Sequence, residues 1–177
     1  MSIYFDTTKI TQSNNVAICD KEMTIGGYEP TDLNGLYLGL SNKETCRGLG
    51  CNTIRAKGAL KTMIENNIKH HNSSKSDCDR LAIRVDGEYI GNISIYAKGD
   101  RVEIGYFIIK NWQGKGYGAR AVKAITEYLR SKDYIVSARV QEWNTKSSQI
   151  LESVGYKFKS YGFDPVANVR YKLYINR

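Results

Sequence analysis

The stretch "NWQGKGYGARAV" (Asn111–Val122) sets Gly114, Gly116 and Gly118 at every second position, directly ahead of residues with helical preference. Glycine lets successive main-chain amides curl inward, and without a Cβ a bulky anion can reach the backbone. The start of a helix adds unpaired N–H groups and about half a positive elementary charge. Lys115 and Arg120 bring mobile positive charge to the same place. The chemistry indicated is the holding of a phosphate. Two other groups stand close in sequence. Glu103 is the only acidic residue of the apolar run "RVEIGYFII", and Asn144 and Ser147 occupy "NTKSSQILESVGY" downstream.

A phosphate ligand, a nucleic-acid backbone and a turn that holds nothing compete for the glycine loop. A Walker loop ends in GK[ST], but Lys115 is followed by Gly116, which leaves magnesium without its hydroxyl ligand. A dinucleotide fingerprint belongs to an early βαβ unit closed by an acidic residue. This loop comes late, and the strand after it carries no such acid. A tight turn with no ligand is the plain alternative.

The elements that must position these residues follow from periodicity. Met23–Tyr28 reads as a short strand, with Val16–Cys19 as a hairpin partner. Thr31 is placed to cap a short helix running to Leu40. Gly48 and Gly50 mark a loop. From Arg55 to His71, the residues Ala56, Leu60, Met63, Ile64 and Ile68 keep helical spacing. The polar run "NSSKSDCD" is a loop. "RLAIRVD", "EYIGNISIY" and "RVEIGYFII" then form an antiparallel meander turned at Asp86-Gly87 and at "AKGD". Past the glycine loop, Tyr117, Ala121, Ile125, Tyr128 and Leu129 make an apolar helical stripe, and "YIVSARV" is the next strand. Strand, helix, strand without a hairpin-sized link is a crossover, so its two strands are expected to be parallel. A short helix ending at Gly155 and two strands, Tyr156–Tyr161 and Val169–Ile175, close the chain. The fold class is α+β.

Gln113, Gly116 and Gly118 after a strand and before a helix resemble the Q-x-x-G-x-G pyrophosphate loop of the GNAT superfamily of acetyl-CoA-dependent N-acetyltransferases. The "E-I-G-Y" strand and the N-x-x-S-x-x-x-L-x-x-x-G-[FY] segment look like its RimJ/RimL branch of ribosomal-protein N-terminal acetyltransferases, with its polyamine-acetylating relatives. The likeness is dense from Val102 to Tyr161, loose from Thr24 to Tyr96 and absent before Val16. It implies a mostly antiparallel mixed sheet with one parallel, splayed strand pair flanked by helices. It also implies one domain over residues 1–177, with an acceptor-side half (about 16–100) and an acetyl-CoA-binding core (about 101–161). Gly105 is read as a bulge that starts the splay.

The resemblance further implies that backbone groups of Ile108 and Ile109 run along the pantetheine arm. The amides of Gln113, Gly114, Lys115, Gly116, Tyr117 and Gly118 would hold the pyrophosphate of acetyl-CoA. Asn144 would cap its helix and face the pantetheine. Acetyl transfer needs a neutral amine, a polarised thioester carbonyl and a proton for the departing thiolate. An α-amine with a pKa of about 8 is roughly 10% neutral at pH 7, against below about 0.1% for lysine. A modest base therefore suffices for an N-terminal amine. Glu103 is the candidate, and a salt-bridged strand glutamate is its structural alternative. Most of the superfamily has a tyrosine where this chain has Leu151. The Rim-type branch implies Ser147 as proton donor instead, and the same serine also suits the first turn of a helix. Tyr156 reads as core.

The 177 residues carry a net charge of +8, with 41% hydrophobic and 25% charged residues. Residues 1 to 88 balance 11 Lys+Arg against 11 Asp+Glu, while residues 89 to 177 hold 15 against 7, the whole excess. Concentrated positive charge points to an anionic partner, and coenzyme A is itself polyanionic. No apolar run spans a bilayer and no secretion signal is visible, so a cytoplasmic enzyme is expected. Cys19, Cys46, Cys51 and Cys78 read as reduced thiols. No metal site is expected, since adjacent His70 and His71 diverge by about 100° on a helix. The acceptor expected is a primary amine, foremost a protein N-terminal α-amine. Aminoacyl-tRNA, motivated by the basic half, and small polyamines or aminoglycosides are the alternatives. For the last, only "DGEY" and "SDCDR" offer acidic loops. A non-catalytic acetyl-CoA-binding module is the reading from another class. Relatives commonly form a homodimer, though no residue here demands one.

Overall fold

A computed structural model describes residues 15–18, 22–71, 78–98 and 101–177. Cys19, the loop at 72–77 and the turn at 99–100 lie outside the described residues, as do the side chains of His70, His71 and Cys78. The order is β1 (Asn15–Ile18), β2 (Met23–Gly26), α1 (Leu33–Leu40), α2 (Lys43–Leu49), α3 (Lys57–His71), β3 (Cys78–Val85), β4 (Glu88–Lys98), β5 (Arg101–Ile108), α4 (Tyr117–Arg130), β6 (Ile135–Gln141), α5 (Thr145–Ser153), β7 (Lys157–Asp164) and β8 (Val169–Asn176). The strands form one eight-stranded sheet in the order β1-β2-β3-β4-β5-β6-β8-β7. Every pairing is antiparallel except β5 with β6, the crossover expected from the sequence.

Period-two alternation in the strands gives the sheet two apolar faces. On one, Ala121, Val122, Ile125 and Leu129 of α4 pack on Leu81, Ile93, Ile104 and Val136. On the other, Leu36 of α1 and Leu60 and Ile64 of α3 cover Tyr89 and Phe107. Tyr156 is core as read, 3% exposed, with its hydroxyl 2.7 Å from that of Thr126.

Three local readings need correction. Thr31 is not the cap. Glu29 caps a 3₁₀ turn (Pro30–Asp32) through a capping box with Asp32, and α1 continues from it. Arg84 pairs with the buried Asp32, which fixes that turn on the sheet. The region around Gly48 is not a loop but the end of α2, capped by Asn42 at one end and by left-handed Gly50 at the other. Its seven residues are too few to show a periodic stripe. Gly105 is not a bulge, since the β4–β5 register runs unbroken from Gly91–Ile108 to Lys98–Arg101.

Candidate active site

The splay arises without any irregularity in β5. Strands β5 and β6 are paired only at Arg101–Ile135, Val102–Val136 and Glu103–Ser137, after which they part. Past that point Ile109 gives its N–H to Ile90 on the β4 side. Alternate residues Tyr106 and Ile108 therefore turn their backbone groups toward β6, where no ladder partner meets them. Buried main-chain groups are costly to leave unpaired, so this edge is suited to a ligand with amide groups of its own. Gly105 has a different setting from the one expected. A Cβ built on it meets nothing within 4 Å, so the sheet face at Gly105 borders open space.

At the far end of β5 the chain turns through a short 3₁₀ segment (Lys110–Trp112) into the glycine loop. Gln113 ties this loop to the strand: its side-chain Nε2 donates to the Ile108 carbonyl at 2.7 Å. Its own N–H donates to Lys110, so the open amides begin one residue later than expected. Gly114 and Gly116 have φ of 79° and 84°, and Gly116 is the N-cap of α4. A side chain on either meets open space, so φ alone demands glycine there. Arg120 is the first residue to close a helical bond, to Gly116, so the N–H groups from Gly114 to Ala119 make no main-chain bond. Six open amides, a helix start and an unpaired strand edge fit a ligand with a diphosphate and a pantetheine arm.

Loop, seam and sheet line one continuous cleft of about 840 Å³, in the usual size range of ligand sites. Glu103, Gln113, Gly114, Gly116, Asn144 and Ser147 all reach it, as do Ile108, Tyr117 and Gly118. Two expected residues do not line it. Ile109 is buried beside Gly39 of α1, and Lys115 lies over the Trp112 ring at 4.7 Å.

Glu103 is 8% exposed and its Oε1 accepts from Arg139 Nε at 2.7 Å. Arg139 in turn reaches Asp164 at 3.4 Å and stacks on Tyr171 at 5.3 Å, so the carboxylate is held by a clamped cation. Both structural alternatives for the downstream pair are realised. Asn144 caps α5 by accepting from the Ser147 N–H at 3.2 Å. The Ser147 hydroxyl lies 2.9 Å from that of Tyr106, bridging β5 to α5. Burial pushes the Tyr106 hydroxyl up to about 12, with the Ser147 bond lowering it in part.

Tyr106 and Arg139 escaped the sequence reading. Tyr106 stands inside the "E-I-G-Y" signature, but nothing local says that its ring reaches a residue 41 positions away. Arg139 breaks the apolar pattern of "YIVSARV", a signal whose meaning depends on the parallel register with Glu103.

A mixed sheet opened at a parallel seam, with an anion cradle at one end and a carboxylate at the other, is the framework of a group transferase. The sequence matches the model of the acetyltransferase (GNAT) domain over residues 22–157, and the chain belongs to that family. It is an acetyltransferase of the GNAT type, a family that takes its acetyl group from acetyl-CoA. Similar solved structures include an acetyltransferase of Salmonella typhimurium that modifies the N-terminal serine of a 50S ribosomal subunit protein. It is 16% identical, spans 90% of this chain and 97% of that one, and has a TM-score of 0.75. RimJ of Mycobacterium smegmatis with CoA-disulfide follows at 15%, 87%, 81% and 0.74. A spermidine N-acetyltransferase of Vibrio cholerae, solved with CoA and spermine, stands at 16%, 89%, 96% and 0.72. At these identities the likeness fixes the fold alone. No curated protein matches the sequence. Among the described residues no helix is long and apolar enough to cross a membrane, and no cluster suits a metal ion.

Proposed function

We propose that the enzyme acetylates the α-amine of a protein N-terminus, with Glu103 as base and Ser147, backed by Tyr106, as proton donor. One observation carries the reading: the seam puts these groups on opposite faces of the sheet. By strand alternation Glu103 shares the α1–α3 face with Phe107, while Tyr106 lies on the α4 face with Ile104. An amine entering from one face thus meets a carboxylate, and a leaving group on the other meets two hydroxyls.

When bound, acetyl-CoA would supply an activated acetyl group, and the C–S bond broken on transfer would release coenzyme A as its thiolate. The open amides from Gly114 to Ala119 would anchor its diphosphate at the start of α4, and the Tyr106 backbone groups with the Ile108 N–H would align the pantetheine amides. Glu103 accepts a proton from the acceptor's ammonium, and Arg139 keeps the carboxylate aimed into the cleft. Ser147 gives a proton at the sulfur position, and Tyr106 stands ready to replace it.

The balance of charge in the cleft favours an α-amine over a polycation. Its described lining pairs Glu44, Glu103 and Asp164 with Arg80, Arg139 and Lys146, which is no acidic pocket. A thiol-release assay with acetyl-CoA tests the proposal against N-terminal peptides, polyamines, aminoglycosides and charged tRNA. Turnover highest on the peptides is expected, with an acceptor KM that barely moves with salt. A strong salt dependence with charged tRNA preferred would overturn it. Cofactor binding without thiol release on any amine would leave only a binding module.

A further inference from the structure

The acceptor side of the cleft holds a cation that the chemistry above does not use. Arg80 of β3 lies in register with Ser94 of β4, which lies in register with Gly105 of β5. The three form a row on the face that carries Glu103, beside the open space at Gly105. Arg80 lines the cleft, and its charge acts on the buried Tyr28 hydroxyl, which accepts from Asn92 at 3.1 Å. The contrast with the other arginine of this wall decides its role. Arg139 is saturated by Glu103 and Asp164, whereas Arg80 makes no ion pair with any described carboxylate. A partly buried guanidinium aimed into a substrate cleft is a ready partner for an acceptor's own carboxylate.

We infer that Arg80 selects acceptors bearing an acidic side chain near the amine, so that the substrate class is an acidic peptide N-terminus. This rests on the acetyl-transfer reading of the same cleft. Geometry sets where the acid falls. Arg80 and Glu103 are two strands apart, about 10 Å, and offset by two residues. Once both side chains extend, the remaining gap matches one or two residues of extended chain at about 3.4 Å each. With the amine at Glu103, the acid belongs at the second or third position of the acceptor. The α-carboxylate of a free amino acid is too close to its amine to span the gap. A polyamine would set cation against cation.

Steady-state kinetics of the full chain with acetyl-CoA tests this on peptides that differ only in Glu, Gln or Lys at positions 2 and 3. Wild-type enzyme is expected to favour the Glu peptide over the Gln peptide about tenfold in kcat/KM, the size of one charge-assisted hydrogen bond. Arg80→Gln should bring that ratio to about one, and Arg80→Glu should tilt preference to the Lys peptide. Equal wild-type kcat/KM on the Glu and Gln peptides overturns the inference without any variant, as does a preference that survives Arg80→Gln. Faster turnover of polyamine or charged tRNA than of the acidic peptide overturns it too. Turnover without acid preference removes only the role of Arg80, whereas no turnover on any amine removes the acetyl-transfer reading with it.

Discussion

The two ends of the cleft are built from different material. At the α4 end the cleft is walled by main chain: open amides from Gly114 to Ala119 and the edge of β5 that has no ladder partner. At the acceptor end the wall is of side chains: Glu103, Arg139 and Arg80, brought together from three strands by register. A diphosphate offers the same few oxygens every time, so a fixed backbone cradle suits it. Acceptors differ, and side chains are what a sequence can change without moving the fold.

The sharpest way to break this contrast is at Gly116. Its φ of 84° is costly for a β-branched residue, although the Cβ itself has room. Gly116→Val should relax the N-cap and misdirect the amides around it. Losing two charge-assisted bonds corresponds to a coenzyme affinity about 100-fold weaker by calorimetry, with the melting temperature down only about 5 °C. Retained affinity would mean that side chains hold the coenzyme after all.

At the acceptor end the matching experiment is Glu103→Gln, which keeps shape and hydrogen bonding but removes the base. Turnover should fall at least tenfold, about 1.4 kcal/mol of barrier, while coenzyme affinity in the same preparation holds. An unchanged rate would reduce Glu103 to the salt-bridged partner of Arg139.

How far each end could be read from the sequence follows from the same contrast. Glycines at every second position announce a backbone site locally, and the crossover rule makes β5 and β6 parallel from the sequence alone. Glu103 was visible as a lone acid in an apolar strand. Arg139, Tyr106 and Arg80 were not, because their meaning lies in registers between segments far apart in the chain. Helix α2 was missed because seven residues hold too few turns to show periodicity, and its own Gly48 looked like a breaker. The bulge expected at Gly105 failed because the β4–β5 register passes through it unbroken; it faces open space and has no positive φ, so neither turn geometry nor crowding asks for glycine there.

The hydroxyl pair joins the two ends, and the effects expected there are smaller. Ser147→Ala should lower kcat about fivefold and Tyr106→Phe somewhat less, since water partly replaces either proton source. The double variant should cost little more than Ser147→Ala alone, as two groups in one relay are not additive. The pH dependence separates a relay from a packing role. Because burial pushes the Tyr106 hydroxyl up to about 12, it keeps its proton throughout the neutral and mildly alkaline range. The loss in Tyr106→Phe should therefore be the same factor from pH 7 to pH 10. A loss that disappears by pH 9 would show that the tyrosine in the working enzyme titrates lower and that the burial argument fails.

Lys115 gives the finest measure of how far the backbone dominates its end. Sequence alone puts this cation in the middle of the anion loop, as mobile positive charge beside the helix start. Its ammonium instead lies over Trp112 at 4.7 Å, exposed and outside the cleft lining. An exposed charge near an anion contributes on the order of 0.5–1 kcal/mol and is screened by salt. Lys115→Ala should thus weaken coenzyme affinity only about threefold at low ionic strength, and by less as salt rises. A loss as large as that of Gly116→Val, persisting in high salt, would place the ammonium directly on the diphosphate. The two ends of the cleft would then differ less in kind than the amides of Gly114 to Ala119 suggest.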